Sequence, residues 1–257
     1  DRIEHGPFPL SRLQAFKLMP VMATSNYALE QSPELEKWFA ASNGVSPLNG
    51  QVSLGYDRSF DGNLQLQPLK AALDAESTLE FSGLNIDFDS SADAQEISAN
   101  GLMDSLVITS TLENAQNMTL QFKGLTLDSK AHKGSSDFYL GNNEVRLQSI
   151  ELLLGDSQPI LLKDFVQRDE TTENDNKLSA RYSYDIGMIS YQGNDIGGSQ
   201  MIWGVKNLDA TALQSLVELY GVLLQAGQVD SETGMPELSA EQTALFKADI
   251  ETLLAGR

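Results

Sequence analysis

From Gln51 to about Leu208 the chain alternates apolar and polar residues with a period of two, the signature of half-buried strands. Val52, Leu54 and Tyr56 alternate with polar partners, and Leu64, Leu66 and Leu69 follow a turn expected at Asp61-Gly62. Leu79 and Phe81, then Leu84, Ile86 and Phe88, continue the series, with Gly83 standing where a bulge would reset the alternation. Further strands are expected from Leu102 to Leu112, Leu120 to Leu127, Val145 to Leu154, Leu178 to Ser190 and Ser199 to Leu208. The Asn, Asp, Gly and Ser turns between them leave no room for crossover helices. An antiparallel meander with one buried and one wet face is therefore expected, rather than a βαβ nucleotide fold.

Helical patterns bracket this region. Pro7 and Pro9 make Gly6 to Pro9 a rigid turn, after which Leu10, Leu13 and Phe16 give one helical face that Pro20 ends. Met22 to Leu29 reads as extended. Ser32-Pro33-Glu34 has the form of a helix start: a hydroxyl at the N-cap, proline at the first position and an acid at the positive dipole end. Leu35, Trp38 and Phe39 form its stripe, and Asn43-Gly44 closes it. Towards the end of the chain Asp209 is an N-cap, with Leu208 and Leu213 placed as a hydrophobic staple and Gly227 as a left-handed cap. Ser239 and Gln242 form a capping box for a last helix carrying Leu245, Phe246, Ile250 and Leu253, after a polar loop from Gly227 to Leu238.

The expected fold is therefore α+β and β-rich, a curved, groove-like antiparallel meander sheet flanked by N-terminal and C-terminal helices. It is read as a single elongated domain over 1–257: a helical and extended entry at 1–50, the meander at 51–208, and two helices at 209–257. A phrase repeats within it. Phe81-Ser82-Gly83-Leu84-Asn85-Ile86-Asp87 resembles Phe122-Lys123-Gly124-Leu125-Thr126-Leu127-Asp128, and more loosely Arg146 to Leu152, with a period of about 40 residues. An apolar face continuing from one hairpin to the next would produce such an echo.

Composition narrows the function. Among 257 residues, 36 are Asp or Glu and 17 Lys or Arg, a formal charge of −19, so phosphate-rich nucleic acid and anionic headgroups are both disfavoured as partners. Cysteine is absent, which excludes disulfides and thiolate metal sites. The chain opens on Asp1 without a signal segment and stops at Gly256-Arg257 just after an amphipathic helix, so it is read as a fragment of a longer chain.

Catalytic motifs are missing. The two histidines, His5 and His132, have no ligand at helical spacing; His132 lies in the basic stretch Lys130-Ala131-His132-Lys133, read as a turn. Ser46 in Gly44-Val45-Ser46-Pro47-Leu48 fails the nucleophile-elbow pattern at the second glycine. The glycine-dense Gly193 to Gly198 precedes a strand, not the helix that phosphate cradling needs. Asp87, Asp89, Asp93 and Glu96 approach a calcium-loop spacing but lack its glycine and final Glu, and Asp169, Glu170, Glu173 and Asp175 sit in a stretch read as a solvated loop. No catalytic, cofactor-binding or metal residue is assigned, and no cofactor is expected.

The phrase Glu4-His5-Gly6-Pro7-Phe8-Pro9-Leu10, with Leu18-Met19-Pro20, Gly83-Leu84, Tyr184-Asp185-Ile186, Asn194-Asp195-Ile196-Gly197 and Leu208-Asp209, resembles the YdgA/YihF-like bacterial envelope proteins. His5, Gly6, Pro7, Phe8 and Pro9 form its most specific structural motif. The resemblance implies a longer parent with an N-terminal membrane anchor absent from this chain, a periplasmic location on the inner membrane, and self-association; it implies no catalytic residues. Two functions follow as expectations: a non-enzymatic protein binding a lipid or other apolar ligand in a β groove, or a scaffold that pairs with itself as a homodimer or with another envelope protein.

Overall fold

The structure, a computed structural model, describes residues 2–9, 20–112, 116–226 and 238–255. Among them thirteen strands form one open antiparallel sheet. Strands β1 (Arg2–His5), β2 (Ala23–Ala28), β3 (Leu48–Leu54) and β4 (Phe60–Leu66) meander from one edge. β5 (Leu69–Ala72) prolongs β4 beyond Gln67-Pro68, and β6 (Ser77–Phe81) runs into β7 (Leu84–Ser90) across Ser82-Gly83. The two interrupted strands pair twice, β5 with β6 and β4 with β7. Pro68 has no N–H to give a ladder, which is why both strands break at the same level. β8 (Glu96–Thr111) pairs with β6 and β7 together. Then β9 (Asn117–Lys133), β10 (Tyr139–Leu154), β11 (Ile160–Asn174), β12 (Lys177–Tyr191) and β13 (Asn194–Asp209) follow in sequence order, β13 standing last.

Tight turns join the late strands. Asp175 and Asn176 (φ 48° and 59°) and Gln192 and Gly193 (φ 51° and 74°) supply two consecutive left-handed residues, the twist a two-residue hairpin demands. Three expected connections are corrected here. Asp61-Gly62 lies inside β4, and the turn is instead closed by the Gly55 N–H on the Ser59 carbonyl at 2.7 Å, with Arg58 at φ 62°. A side chain at residue 62 would crowd the Phe88 ring, so this glycine serves packing rather than turning. The hydrophilic stretch from Arg168 onward continues β11 to Asn174, and His132 is a strand residue paired with Glu96. In each case ladder pairing outweighs polar composition.

A 3-10 turn (Pro33–Leu35) leads into the short helix α1 (Glu36–Ala41), which ends at Asn43 and Gly44 (φ 56° and 79°) as its sequence predicts. Ser32 makes no side-chain cap, and of the expected stripe Phe39 is buried while Trp38 stays 54% exposed. Helix α2 (Ala210–Gln225) is capped by the Asp209 carboxylate, which accepts the Ala212 N–H at 3.1 Å. Helix α3 (Ala240–Leu254) carries the full Ser239–Gln242 capping box. The helix expected over Leu10 to Phe16, the Gly227 cap and the loop at 227–237 lie outside the described residues.

Two compact units divide the chain. Unit 1 comprises Asp1–His132, Gly141–Asp169 and Ser183–Ile202; unit 2 comprises Lys133–Leu140, Glu170–Tyr182 and Trp203–Arg257. Unit 2 has a sealed core: Leu140, Leu178 and Ala210 are buried together, with Phe138 and the staple residues Leu208 and Leu213 packed against them. There α2 covers the strands, and the Ser215 hydroxyl donates to Asp249 of α3 at 2.6 Å.

Candidate ligand-binding face

Backbone signs mark a line through unit 1. Gly83 between β6 and β7 (φ 96°), Gly124 in β9 (φ 64°), Asp164 in β11 (φ 54°) and Gly197 in β13 (φ 125°) all adopt positive φ, on alternate strands of the sheet. Register is unchanged across the line: Phe81 pairs with Leu106 and Leu106 with Phe122 on one side of it, Met103 with Leu125 on the other. Asp104 and Gly124 fall between these pairs and form none of their own.

The apolar positions change parity at this same line. Leu79 and Phe81 give way to Leu84 and Ile86, Leu120 and Phe122 to Leu125 and Leu127, and Ile160 and Leu162 to Phe165. An unpaired residue in a strand shifts the alternation by one. Directly paired residues share a face, so neighbouring strands shift together and their apolar side chains stay on one side throughout. Among the described residues that side is not closed. Leu64, Ile86, Leu106, Phe122, Leu127 and Leu152 are each only half-buried, and Met103 is the buried residue near their centre. Covering about 300 Å² of such surface would contribute on the order of 7 kcal/mol before the cost of association.

The opposite side of unit 1 is ionic. Glu144 accepts from Arg146 at 2.6 Å and from Arg168 at 2.7 Å, Arg168 also reaches Asp185 at 3.0 Å, and the Gln200 amide joins Asp185. The Arg146 hydrogen bond, aided by Arg168, holds the Glu144 carboxyl below the usual Glu range. Asp87 and Asp89 also stand on this side, in β7; Asp93 lies in a 3-10 turn, bonded to Arg58 at 3.2 Å, and Glu96 opens β8. The calcium-like spacing is thus spread over three elements.

The second acidic stretch separates as well. Glu173 accepts from the Ser135 hydroxyl at 2.8 Å, which lowers its pKa, while Asp175 occupies the β11–β12 turn. Asp169 shares its strand face with Glu173 and lies on the apolar side of unit 1. Its carboxylate accepts the Asn143 amide at 2.6 Å, and the Asn143 carbonyl oxygen accepts the Ser129 hydroxyl. Ser129 pairs with Ala99, whose other partner is Phe88, so the Ser129 end of this polar row adjoins the apolar ladders. Composition alone hid it, because the alternation that would reveal it crosses the Asp164 shift.

Aromatic pairs were equally hidden, since their members are distant in sequence. The rings of Tyr182 and Trp203 stack at 4.3 Å in unit 2, and those of Phe165 and Tyr184 lie 6.5 Å apart in unit 1. In the opening motif His5 is exposed at the end of β1, paired with Ala23. Backbone bonds hold the turn that follows: Gly6 N–H to the Met22 carbonyl at 3.2 Å and Val21 N–H to the Pro7 carbonyl at 3.1 Å. Gly6 takes φ 111°, Phe8 is exposed and Pro9 buried.

The family described as "Bacterial protein of unknown function (DUF945)" matches residues 1–257. Protein YdgA of Escherichia coli (strain K12) is 25% identical over 260 residues, an alignment covering 100% of this chain and 52% of that protein. The Uncharacterized protein YihF of the same strain is 19% identical over 247 residues, covering 95% of this chain and 49% of that protein. The chain thus spans about half the length of these curated relatives. No solved structure matches it. With a match along its whole length, and in agreement with the resemblance carried by its opening motif, the chain belongs to the DUF945 family of bacterial proteins of unknown function.

Proposed function

We propose that the apolar side of unit 1 binds a lipid-like or apolar ligand, and that the protein does so without catalysing a reaction. The observation that carries this reading is the contrast in closure among the described residues: helix α2 seals Leu140 and Leu178 in unit 2, whereas the apolar ladders of unit 1 are only half-buried. A continuous apolar surface without a cover is the form that ligand sites for acyl chains take. A periplasmic location, on the inner membrane through an anchor outside this chain, accompanies the proposal on the strength of the family resemblance. Native mass spectrometry of the purified protein, followed by titration with the neutral dye Nile red, tests it. A co-purified lipid, and dye binding weakened by Leu127→Glu, are expected. Absence of both lipid and dye binding refutes it.

The edge strand favours a second reading, self-association as a scaffold. No strand follows β13 among the described residues, and its run from Ile196 to Val205 carries no charge in a chain of net −19. Ile196 (67%) and Met201 (56%) are exposed. Long uncharged edges are templates for pairing with another chain. Sedimentation velocity of the protein and of Met201→Lys tests this: a dimer dissolved by the lysine supports it, and a monomer at high concentration ends it.

A further inference from the structure

We propose that the ligand of the unit 1 face carries an ammonium group at its polar end, seated on Asp169 with Asn143 and Ser129. This rests on the preceding reading that the face binds an amphiphile, and it specifies the headgroup.

Asp169 is half-buried, and a carboxylate drawn partly out of water is costly unless its oxygens are occupied. Asp169 has about four lone-pair sites, and the Asn143 amide, at 2.6 Å, fills one. Asn143 is itself oriented by the Ser129 hydroxyl, so the row is fixed across β9, β10 and β11 before any ligand arrives. Among the described residues no ion pair neutralises it. In unit 1, Lys70 of β5, Lys123 and Lys130 of β9, Arg146 of β10, and Lys163 and Arg168 of β11 alternate onto the opposite side. Arg168, adjacent in sequence, is engaged there by Glu144 and Asp185.

An ammonium group entering beside Asp169 forms charge-assisted hydrogen bonds with the open carboxylate sites. An anionic headgroup meets a negative charge with no cation among the described residues to offset it, in a protein of net charge −19. The hydrocarbon portion lies along the neighbouring ladders, where Leu127 stands two residues from Ser129 on the same strand face.

Displacement of Nile red by dodecylamine, dodecanoate and dodecyl maltoside, each below its critical micelle concentration, tests the assignment on the wild-type protein, Asp169→Asn, Asp169→Lys and Asp87→Asn. Dodecylamine is expected to bind about tenfold more tightly than dodecyl maltoside, as for a hydrogen bond to a charged group. Asp169→Asn should erase that preference, Asp169→Lys should transfer it to dodecanoate, and Asp87→Asn, on the ionic side, should leave it intact. Equal affinity for all three amphiphiles, or equal loss in Asp87→Asn and Asp169→Asn, overturns the headgroup assignment while leaving the apolar face standing. Failure of every amphiphile to displace the dye removes both.

Discussion

Replacing Gly83 by alanine probes the line of positive φ directly. At φ 96° an L-residue is outside even the ordinary left-handed well, a strain of about 1–3 kcal/mol. The new Cβ would also stand 2.9 Å from the Leu66 carbonyl oxygen and 3.3 Å from Pro68 Cδ. The carbonyl cannot swing away, because Leu66 is paired with Leu48 on one side and Leu84 on the other. Overpacking of this kind adds about 1 kcal/mol or more, so a total near 2–4 kcal/mol is expected. Gly193→Ala is the matched control: φ is 74° in an open turn, with nothing within 4 Å of the added atom. It should cost about 1–2 kcal/mol from backbone strain alone. Urea denaturation read as a change in midpoint at constant m measures both. If Gly83→Ala proves no more costly than Gly193→Ala, the close approach at Leu66 does not constrain the strand, and the account of the parity shift fails.

Two further outcomes are expected. Leu178→Ala in the sealed core of unit 2 should cost about 2–4 kcal/mol, whereas Leu127→Ala on the half-buried face should cost no more than about half as much; equal losses in thermal or urea unfolding would mean that the face is closed after all. Asp209→Ala should cost about 1–2 kcal/mol by removing the α2 cap, and Asp209→Asn less, since it keeps an acceptor and loses only the Lys177 pair at 2.9 Å. Lys177 holds the Asp209 carboxyl below the usual Asp range, so this stability is complete above about pH 4 and is lost as pH falls through the lowered native value. Acid titration of unfolding should accordingly be shallower in Asp209→Asn; an unchanged profile would contradict the pairing.

Period-two alternation in the sequence located most strands and the Gly83 shift, and the capping residues Asp209 and Ser239 located the starts of the last two helices, because each depends on neighbours close along the chain. Less was legible where long-range pairing decides. β11 runs through residues as polar as Arg168, Asp169, Glu170 and Glu173, and only its partners on either side make it a strand. The echo between Phe81–Asp87 and Phe122–Asp128 was visible, and its cause is that both phrases hold a positive-φ glycine at the same place. The looser third copy at Arg146 lies on β10, which runs the other way; the corresponding backbone feature is Asp164. The apolar face was foreseen as a tendency of the meander. Its polar row was not, since Ser129, Asn143 and Asp169 come together only through register.

The spacing of Gly83, Gly124 and Asp164 gives the sheet a unit of growth. Each unit is one hairpin carrying its own inflection, so adding or deleting a whole hairpin preserves the inward set of side chains, while losing a single strand would orphan an inflection. Two strands widen a sheet by roughly 10 Å. On this plan the breadth of the greasy floor changes in discrete steps, without redesign of any one strand.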